Sequence, residues 1–477
     1  MSIIRDGAQS ADLDVPVASP TLNLDFANSQ ELDPRITFTR GSIGTFVNKN
    51  GLIETAPANQ PRFDYDPISG ECRGLLIEEQ RTNIITNSTS ATFGGSITGL
   101  STTTDGSLAP DGNPAIVYIP TTSATFHSLG ALTTTLNLDT IGIATGATYD
   151  VTFSAWLKDY NNSDFSAYFV NAAFLSGAPN TNITYQLRLA NPKDGTWTGG
   201  SVGTGWTRNY EKVVRYTNGW YRFIQSSRYT RQSNQNGLSF QIQIFNNRDT
   251  QTYRGDGTSG IYVWGPQVET AVSPAQAPFE TSYIPTSGST VTRSPDLARL
   301  QEPYFSPFFN KFEGSVVANY NVNAPVDTGT LYNLNRTQTP FYIGNRSDVT
   351  YQGYGVNVSR STAFVHRLSG QAFTQTANAS TGSVYALNSP INNGKFCFTY
   401  DQNKLKVSCN AVNSITSLNR LGTYNQQQSI TTQVFNEITI GWGNNSGAGT
   451  RYINGTIKSL QYYPKALNDA EMLYLTR

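Results

Sequence analysis

The sequence has little charge, and the charge that it has is balanced. Charged residues are 14% of its 477, well under the ~25% of an ordinary soluble domain. Lys and Arg together number 33, as do Asp and Glu, so no basic surplus can neutralise phosphates or anionic lipids. No apolar stretch approaches the ~18 residues of a membrane span. We therefore expect neither nucleic-acid binding nor membrane insertion, and the opening residues, which lack a signal-peptide pattern, indicate synthesis in the cytoplasm.

Histidine and cysteine are equally scarce. The two histidines, His127 and His366, lie beside no second catalytic motif, although a Ser-His-Asp or metal site needs a positioned imidazole. The three cysteines, Cys72, Cys397 and Cys409, have neither the density of a disulfide framework nor zinc-ligand spacing. A predicted hairpin would place Cys397 opposite residue 408, so Cys397 and Cys409 should not face each other. The sequence thus predicts no catalytic residue, no metal site and no enzyme activity.

Carboxylates leave two alternatives open. Two acids that converge at roughly 5–10 Å can hydrolyse glycosidic bonds, which would make the chain a polysaccharide depolymerase. The acids that lie close together in sequence are Asp64, Asp66, Glu78 and Glu79. Their Pro and Arg neighbours favour turns and ion pairs instead. Three further acids flank predicted strand ends and could ligate a structural calcium ion, the only cofactor that the pattern allows: Asp249, Asp256 and Glu269.

Turn signals and alternating apolar runs dominate the rest of the chain. Asn-Gly and Asp-Gly pairs, such as Asn50-Gly51 and Asp256-Gly257, suit tight hairpin turns. Between them apolar residues alternate with polar ones, as in 151–157 and 240–244. One short helix is predicted at the C-terminal end, where Asn468 can cap a first turn that contains acidic residues. The predicted fold class is all-β, with tandem antiparallel β-sandwiches or jelly rolls and that single short helix.

Composition divides the chain into five predicted segments. Residues 1–20 have little apolar surface and form an extended arm, whereas 286–307 is rich in Ser, Thr and Pro and is predicted to be a linker. The other three are a compact, turn-rich unit at 21–88, a first strand-rich block at 89–285 and a second at 308–477. Either the arm anchors the chain within a larger assembly, or it is a disordered terminus.

Ordered motifs in residues 21–85 give a family signal. The motifs are LDF at 24–26, DPRITFTR at 33–40, NGLI at 50–53, PRFDYDP at 61–67 and GLLIEEQRTN at 74–83. Together they resemble a segment of structural and tail proteins of tailed bacterial viruses, many of them marine, which a carbohydrate-binding-module-like jelly roll usually follows. Here GIYVWGPQVE at 260–269 and PFETSYIPT at 278–286 are similar to the late strands and the closing segment of that jelly roll.

The C-terminal block resembles a concanavalin A-like, laminin-G-like lectin fold. The similar pieces are residues 436–442, NGTIKSLQYY at 454–463 and PKAL at 464–467, which leads into the capped helix. The two resemblances imply a protein exposed on the virion that contacts other virion proteins of the tail or head. They also imply a homo-oligomer, and because fibres are commonly trimeric we expect a homotrimer.

Aromatic residues flanked by amides or arginine are typical of sugar-binding sites, because sugars stack on flat rings and hydrogen-bond to the polar groups beside them. The predicted glycan-binding residues are Trp197, Trp206, Arg208, Tyr210, Trp442, Asn444, Arg451 and Tyr452. The alternative for these tryptophans is packing inside the sandwiches, which is the interpretation that we give to Trp156, Trp220 and Trp264.

Three functions follow from these patterns. The first is a tail-fibre or appendage subunit that binds host surface polysaccharide without cleaving it, through weak contacts multiplied by copy number. The second is a head decoration or fibre protein that binds glycans without a role in adsorption. The third is a depolymerase that degrades the same polysaccharide.

Overall fold

The structure, a computed structural model, describes most of the chain from residue 19 onward. The described residues are 19–130, 132, 136–176, 182–246, 252–270, 279–322, 338–345, 352–360, 366–373, 380–387, 393–401, 404–411, 422–425, 434–445 and 449–476. The predicted arm at 1–20 lies outside them except for its last two residues. Within the described part of the chain, neither helix is long and apolar enough to cross a membrane.

Antiparallel strands make up nearly all of the described secondary structure. The elements of the N-terminal segment are β1 (Leu22–Asp25), α1 (Phe26–Ser29), β2 (Ile36–Thr39), β3 (Gly44–Val47), β4 (Ile53–Ala56), β5 (Phe63–Tyr65), β6 (Cys72–Ile77) and β7 (Arg81–Asn83). Those of the middle segment are β8 (Ile97–Thr98), β9 (Leu100–Thr103), β10 (Val117–Pro120), β11 (Thr125–Phe126), β12 (Ser128–Leu129), β13 (Leu136–Asn137), β14 (Thr148–Tyr160), β15 (Ser166–Phe174), β16 (Thr184–Asn191), β17 (Thr196–Thr198), β18 (Trp206–Arg215), a 3₁₀ turn (Thr217–Gly219), β19 (Tyr221–Thr230), β20 (Gly237–Phe245), β21 (Thr252–Tyr253) and β22 (Gly260–Thr270). Those of the C-terminal segment are β23 (Val291–Arg293), β24 (Leu297–Gln301), β25 (Gly314–Val322), β26 (Gln338–Asn345), β27 (Gln352–Arg360), β28 (His366–Phe373), β29 (Ser380–Leu387), β30 (Asn393–Tyr400), β31 (Lys404–Ala411), β32 (Gly422–Asn425), β33 (Glu437–Ile440), β34 (Trp442–Asn445), β35 (Gly449–Tyr452), β36 (Gly455–Tyr463) and α2 (Asp469–Leu475). The prediction of an all-β chain with a short C-terminal helix is confirmed.

The N-terminal strands complete the C-terminal sandwich. Its first sheet has the order β32–β31–β30–β25–β36–β6–β5, with β1 also paired to β36, and its second sheet runs β2–β24–β33–β26–β27–β28–β29. Leu24 lies opposite Leu460, and Phe38 lies opposite Ala298. All four side chains are buried in one core. Residues 21–88, predicted as a compact segment of their own, are therefore not a separate unit, because their strands pair within both sheets of the C-terminal block.

The middle segment forms a second sandwich that is inserted into the first. Its sheets run β18–β19–β14–β22–β10–β9 and β17–β16–β15–β20–β12–β8, and β13 pairs with β20. The predicted alternation holds, since Phe240, Ile242 and Ile244 are all buried between the two sheets. At the base of the insertion the Ser88 amide donates to the Thr286 hydroxyl at 2.8 Å. The chain thus enters and leaves the middle sandwich at one point.

Residues 286–307 are part of the fold rather than the predicted linker. Strand β23 pairs with β7, and β24 lies between β2 and β33. Ala298, Leu300 and Phe305 are fully buried in the C-terminal core. The Ser, Thr and Pro content misled the prediction, because three apolar residues spaced along a strand and its following turn are enough to anchor it.

Aliphatic side chains of one sandwich pack on an aromatic cluster of the other. The β3–β4 hairpin places Val47 and Ile53 on the outer face of the middle sandwich, where they share a buried cluster with Trp156, Tyr262 and Tyr283. Trp156 packs edge-on against Trp264 and Tyr283, with ring centroids 5.1 and 5.7 Å apart. The assignment of Trp156, Trp220 and Trp264 to cores or sheet faces is confirmed.

A network of buried charges stands beside this contact. The Asp296 carboxylate accepts from Arg62 at 2.5 Å and from Arg40 at 3.0 Å, and Glu78 lies 2.9 Å from Arg62 and 3.5 Å from Arg293. Side-chain exposure in all five is 0 or 1%. Such a set is tolerated in a protein interior only when each charge has hydrogen-bonding partners.

Main-chain and hydroxyl groups supply those partners. Arg62 donates to the Thr45 carbonyl at 2.7 Å, and Glu78 accepts from both the amide and the hydroxyl of Ser282 at 2.7 Å. Burial alone would raise the pKa of Glu78, but the guanidiniums of Arg293 and Arg62 together with Ser282 hold that pKa at about 2. Glu78 is therefore ionised in the folded protein at neutral pH.

The C-terminal helix and the cysteine hairpin match their predictions. Asn468 caps α2 in a reciprocal capping box with Glu471, and Leu467 and Met472 are buried against the outer face of the first sheet. Cys397 lies opposite Ser408, as predicted, so it does not face Cys409. Cys72 and Cys397 are buried free thiols.

Candidate functional site

A groove of about 880 Å³ lies on the outer face of the sheet that contains β36. Its floor is formed by the outward-facing residues of β1, β36, β25 and β30, which are neighbours in that sheet. Because strand side chains alternate between faces, burying Leu22 and Leu24 in the core leaves Asn23 and Asp25 on the groove side. By the same alternation Asn319 and Gln461 face outward, while the residues on either side of each one are buried in the core.

The floor is organised as two rows that cross the strands. One row contains Asp25, Ser459, Asn319 and Lys395, each directly opposite the next. The other contains Asn23, Gln461, Val317 and Cys397. The first row is polar along its whole length, whereas the second changes from amides to apolar side chains where α2 covers the sheet.

Two short helices wall the groove. Helix α1 contributes Ala27 and Asn28 on one side, and its start is fixed by Asp25, which accepts from the Asn28 amide at 3.2 Å. On the other side the end of α2 contributes Tyr474 and Leu475. Tyr474 is 41% exposed, which leaves part of its ring open to a ligand.

The charges of the groove are mostly committed to each other. Lys458 donates to Glu71 at 3.1 Å, and Asp25 also accepts from the Asn28 side chain at 2.7 Å. Gln461 donates to Asn23 at 3.1 Å, so these two amides hold each other in fixed orientations. The result is an open surface of amides, one hydroxyl, one partly exposed tyrosine and the ammonium group of Lys395.

The predicted aromatic residues of the middle sandwich face inward. Trp206 is only 5% exposed and packs on Tyr229, with ring centroids 4.8 Å apart. Trp197 is half-buried with its ring edge-on to Phe169 and Phe223, both at 5.2 Å. The Trp206 ring is therefore covered by protein, and the Trp197 ring is partly engaged by these two aromatic neighbours.

Arg208 and Tyr210 are likewise engaged. Arg208 lies 3.1 Å from Glu211. Tyr210 is buried, its hydroxyl donates to the Glu280 carboxylate, and it accepts from the Glu280 amide at 2.9 Å. Burial and this carboxylate raise the pKa of Tyr210. Both residues lie in β18, where Tyr210 is buried and the Arg208 side chain remains 30% exposed.

The predicted residues of the last block lie on the β34–β35 hairpin. Trp442 is 1% exposed and donates to the Ala298 carbonyl at 3.0 Å, and the half-buried Tyr452 lies opposite it and packs against the C-terminal core. Asn444 and Arg451 belong to the same hairpin, but their side chains lie outside the described residues. The structure therefore brings Trp442 and Tyr452 together in a buried position rather than in the groove.

The carboxylates considered for hydrolysis are held in turns and ion pairs. Asp66 accepts from the Ile68 and Ser69 amides, each at 2.9 Å, and lies 2.7 Å from Arg73. Glu79 lies 2.5 Å from Arg81. These contacts agree with the turn and ion-pair interpretation of the sequence.

Three carboxylates nevertheless converge on a small cavity between the β3–β4 hairpin and the middle sandwich. Asp64, Glu78 and Glu280 line it together with Arg222 and Tyr216. Burial raises the pKa of Asp64 to about 6. The cavity volume is about 90 Å³, well below the ~300 Å³ at which ligand pockets begin, so it cannot admit a sugar residue.

His127 and the predicted calcium ligands are also occupied by structural contacts. His127 is buried against the Tyr253 ring at 4.2 Å, and burial lowers the pKa of its imidazole. Asp256 accepts from the Thr258 amide at 2.8 Å in a turn, and the buried Glu269 accepts from the Thr281 amide at 3.1 Å. Asp249 and the side chain of His366 lie outside the described residues. Among the described residues no group of three His, Cys, Asp or Glu could hold a metal ion.

Comparisons with known proteins assign no family. No protein-family model and no curated protein matches the chain. Among solved structures, the CBM40 module of the Ruminococcus gnavus IT-sialidase, bound to α2,3-sialyllactose, aligns over 37% of this chain and 89% of its own at 16% identity and a TM-score of 0.27. A leech intramolecular trans-sialidase aligns over 37% of this chain and 25% of its own at 14% identity and a TM-score of 0.27. At such scores these alignments carry no argument about ligand or activity.

The groove was missed by sequence reasoning, although one signal for it was present. Asn23, Asp25, Asn319 and Gln461 each alternate with core residues on their strands. The sequence could not show that β1 pairs with β36, because the paired residues are far apart in the chain. Leu24 and its partner Leu460, for example, are separated by about 440 residues.

Proposed function

We propose that the protein is a structural subunit of the particle of a tailed bacterial virus, a tail-fibre or appendage subunit that binds host surface polysaccharide without cleaving it. The amide-lined groove is the observation that supports glycan binding. The ordered motifs at 21–85 and 260–286 support the virion location.

The groove has the chemistry that sugar hydroxyls require. Each hydroxyl is both a donor and an acceptor, and the amides of Asn23, Asn319 and Gln461 offer both functions on one floor. The floor strands belong to one sheet, in which β36, β25 and β30 are hydrogen-bonded on both sides and β1 pairs with β36. The amides are therefore held in place before a ligand arrives, and less ordering entropy is lost on binding. The partly exposed Tyr474 adds an apolar surface for the ring of a sugar.

The contacts of the described groove acids support binding without cleavage. Glycoside hydrolysis uses an acid that can give up a proton together with a second carboxylate at the scissile bond. Among the described groove residues, Asp25 instead caps α1, and Glu71 pairs with Lys458. A single groove with a few amide contacts should bind weakly, and presentation in several copies, as in a homotrimer, would raise the avidity.

Binding of the purified protein to polysaccharide from the host envelope tests the proposal. In the double variant Asn319→Ala/Gln461→Ala, two hydrogen-bonding side chains are lost, which should weaken binding about tenfold if each is worth roughly 0.7 kcal/mol. Asn234→Ala, which removes an exposed amide of the middle sandwich, is the matched control and should bind like the wild type. Equal binding by the double variant would rule the groove out.

Three further measurements separate the remaining alternatives. Release of reducing sugar from the same polysaccharide would instead indicate a depolymerase. Antibody labelling of particles distinguishes a tail appendage from a head decoration. Light scattering of the purified protein tests the homotrimer.

A further inference from the structure

The polar row on the groove floor ends in Lys395, for which the described residues supply no side-chain partner. Lys395 lies in β30 directly opposite Asn319 of β25, and its side chain lines the groove and is half-buried. Neither Lys395 nor Asn319 makes a side-chain hydrogen bond or ion pair with any residue that the structure describes. An ammonium group that is partly withdrawn from water and lacks a counter-charge is a favourable position for an anion.

The acids of the groove do not supply that counter-charge. Glu71 pairs with Lys458, and Asp25 is occupied by its two hydrogen bonds from Asn28. Asp25 also stands three strands away from Lys395 in the same row, a separation of roughly 14 Å at the usual strand spacing. Because that exceeds the ~8–10 Å screening length of physiological salt, Asp25 hardly offsets the charge of Lys395.

We infer that the ligand of the groove is an anionic sugar, with its acidic group held at Lys395 and its hydroxyls on the neighbouring amides. Asn319 lies one strand spacing from Lys395 and Ser459 lies two, which matches the reach of one sugar residue and its neighbour. Tyr474 lies on the same side of the groove, since α2 packs against β25 and β30. This inference rests on the proposed function and specifies the class of glycan.

A polyuronate and its carboxyl-reduced form provide the sharpest test, because the two share linkages and differ only in charge. We expect the wild-type protein to bind the polyuronate about tenfold more tightly than the reduced polymer in low salt, as one charge-assisted hydrogen bond allows. Lys395→Gln should abolish that difference, whereas Lys395→Arg should keep most of it. Lys49→Gln, at an exposed lysine outside the groove, is the matched control. A neutral polysaccharide can also be compared before and after sulfation. If sulfation does not tighten binding, the acidic group must be a carboxylate.

The outcomes separate this inference from the proposal on which it rests. If both polymers bind equally, or if Lys395→Gln keeps the preference, the anionic specificity is wrong while glycan binding stands. If neither polymer nor the host polysaccharide binds, both ideas fail together. Thermal unfolding of each variant confirms that it is folded, so that lost binding reports the groove.

Discussion

Arg62 and Asp296 lie 234 residues apart in the chain, yet their side chains meet at 2.5 Å and neither is exposed. Arg62 belongs to the PRFDYDP motif and Glu78, its second partner, to GLLIEEQRTN. Ser282, which donates to Glu78, belongs to PFETSYIPT. Three of the motifs found in the sequence therefore meet in one buried network at the junction of the two sandwiches.

Removing Arg62 should destabilise the protein strongly. Arg62→Met leaves two carboxylates buried with fewer partners, and such a loss typically costs about 3–5 kcal/mol. Arg35→Met is the control, since its pair with Asp33 is partly exposed and should contribute at most about 1 kcal/mol. Chemical unfolding measures both. Similar losses in the two variants would contradict the structural role assigned to the network.

The network should also make the protein sensitive to acid. The pKa of Glu78 is 4.5 in its reference state and about 2 in the folded protein, so the folded state binds the proton more weakly. Its contribution is complete above pH 4.5 and is lost as the pH falls towards 2, by on the order of 3 kcal/mol. Glu78→Gln should be less stable at pH 7 but should show a shallower decline in unfolding free energy over this window. An unchanged decline would mean that other carboxylates dominate.

Asp64 should have the opposite effect on the pH dependence of stability. Its pKa is raised from 3.8 to about 6, so the folded state favours the protonated form and stability is lost as the pH rises through that range. Asp64→Asn keeps an acceptor for the Val47 amide and removes the buried charge. We expect it to raise the unfolding free energy above pH 6 by about 1–3 kcal/mol and to change little below pH 4. A destabilised variant at pH 7 would show that the ion pair with Arg73 outweighs the burial.

The capping box of α2 should support the groove wall. Asn468→Ala removes the acceptor for the Glu471 amide, which typically costs about 1 kcal/mol and loosens the short helix whose last turn carries Tyr474. Glycan binding should therefore weaken along with thermal stability, whereas Asn468→Asp, another good capping residue, should preserve both. Calorimetry measures the thermal stability of each variant, and the polysaccharide binding assay measures its glycan binding. Full binding by the alanine variant would show that the wall does not depend on this cap.

Because the middle sandwich is inserted into the other one, two deletions should differ in whether the C-terminal sandwich still folds. A chain in which a four-residue Gly/Ser link replaces 89–285 should still fold its C-terminal sandwich, because Ser88 and Thr286 are already in contact. A chain that lacks 19–85 should not, since it loses strands from both sheets of that sandwich. Circular dichroism and cooperative unfolding distinguish the outcomes. Folding of the second chain would contradict the strand pairing described above.

Sequence reasoning predicted what depends on local pattern. The fold class, the inward faces of β14 and β20, and the capping box at Asn468 all follow from spacing within a few residues. It failed where distant segments meet. The pairing of β1 with β36, the burial of Leu300 and the partnership of Arg62 with Asp296 depend on which strands become neighbours, and no local pattern encodes that. The burial of Trp206 and Trp442 could not be predicted for the same reason, because the side of a sheet that is covered is a tertiary property.

The meeting of Ser88 and Thr286 has an evolutionary consequence. Two crossover points that touch in space bracket the whole middle sandwich, so recombination there could replace that module in one event. The surrounding core, including both walls of the groove, would remain intact. A lineage built on this architecture could then acquire a new middle module while it keeps the same groove, and the two would be inherited separately.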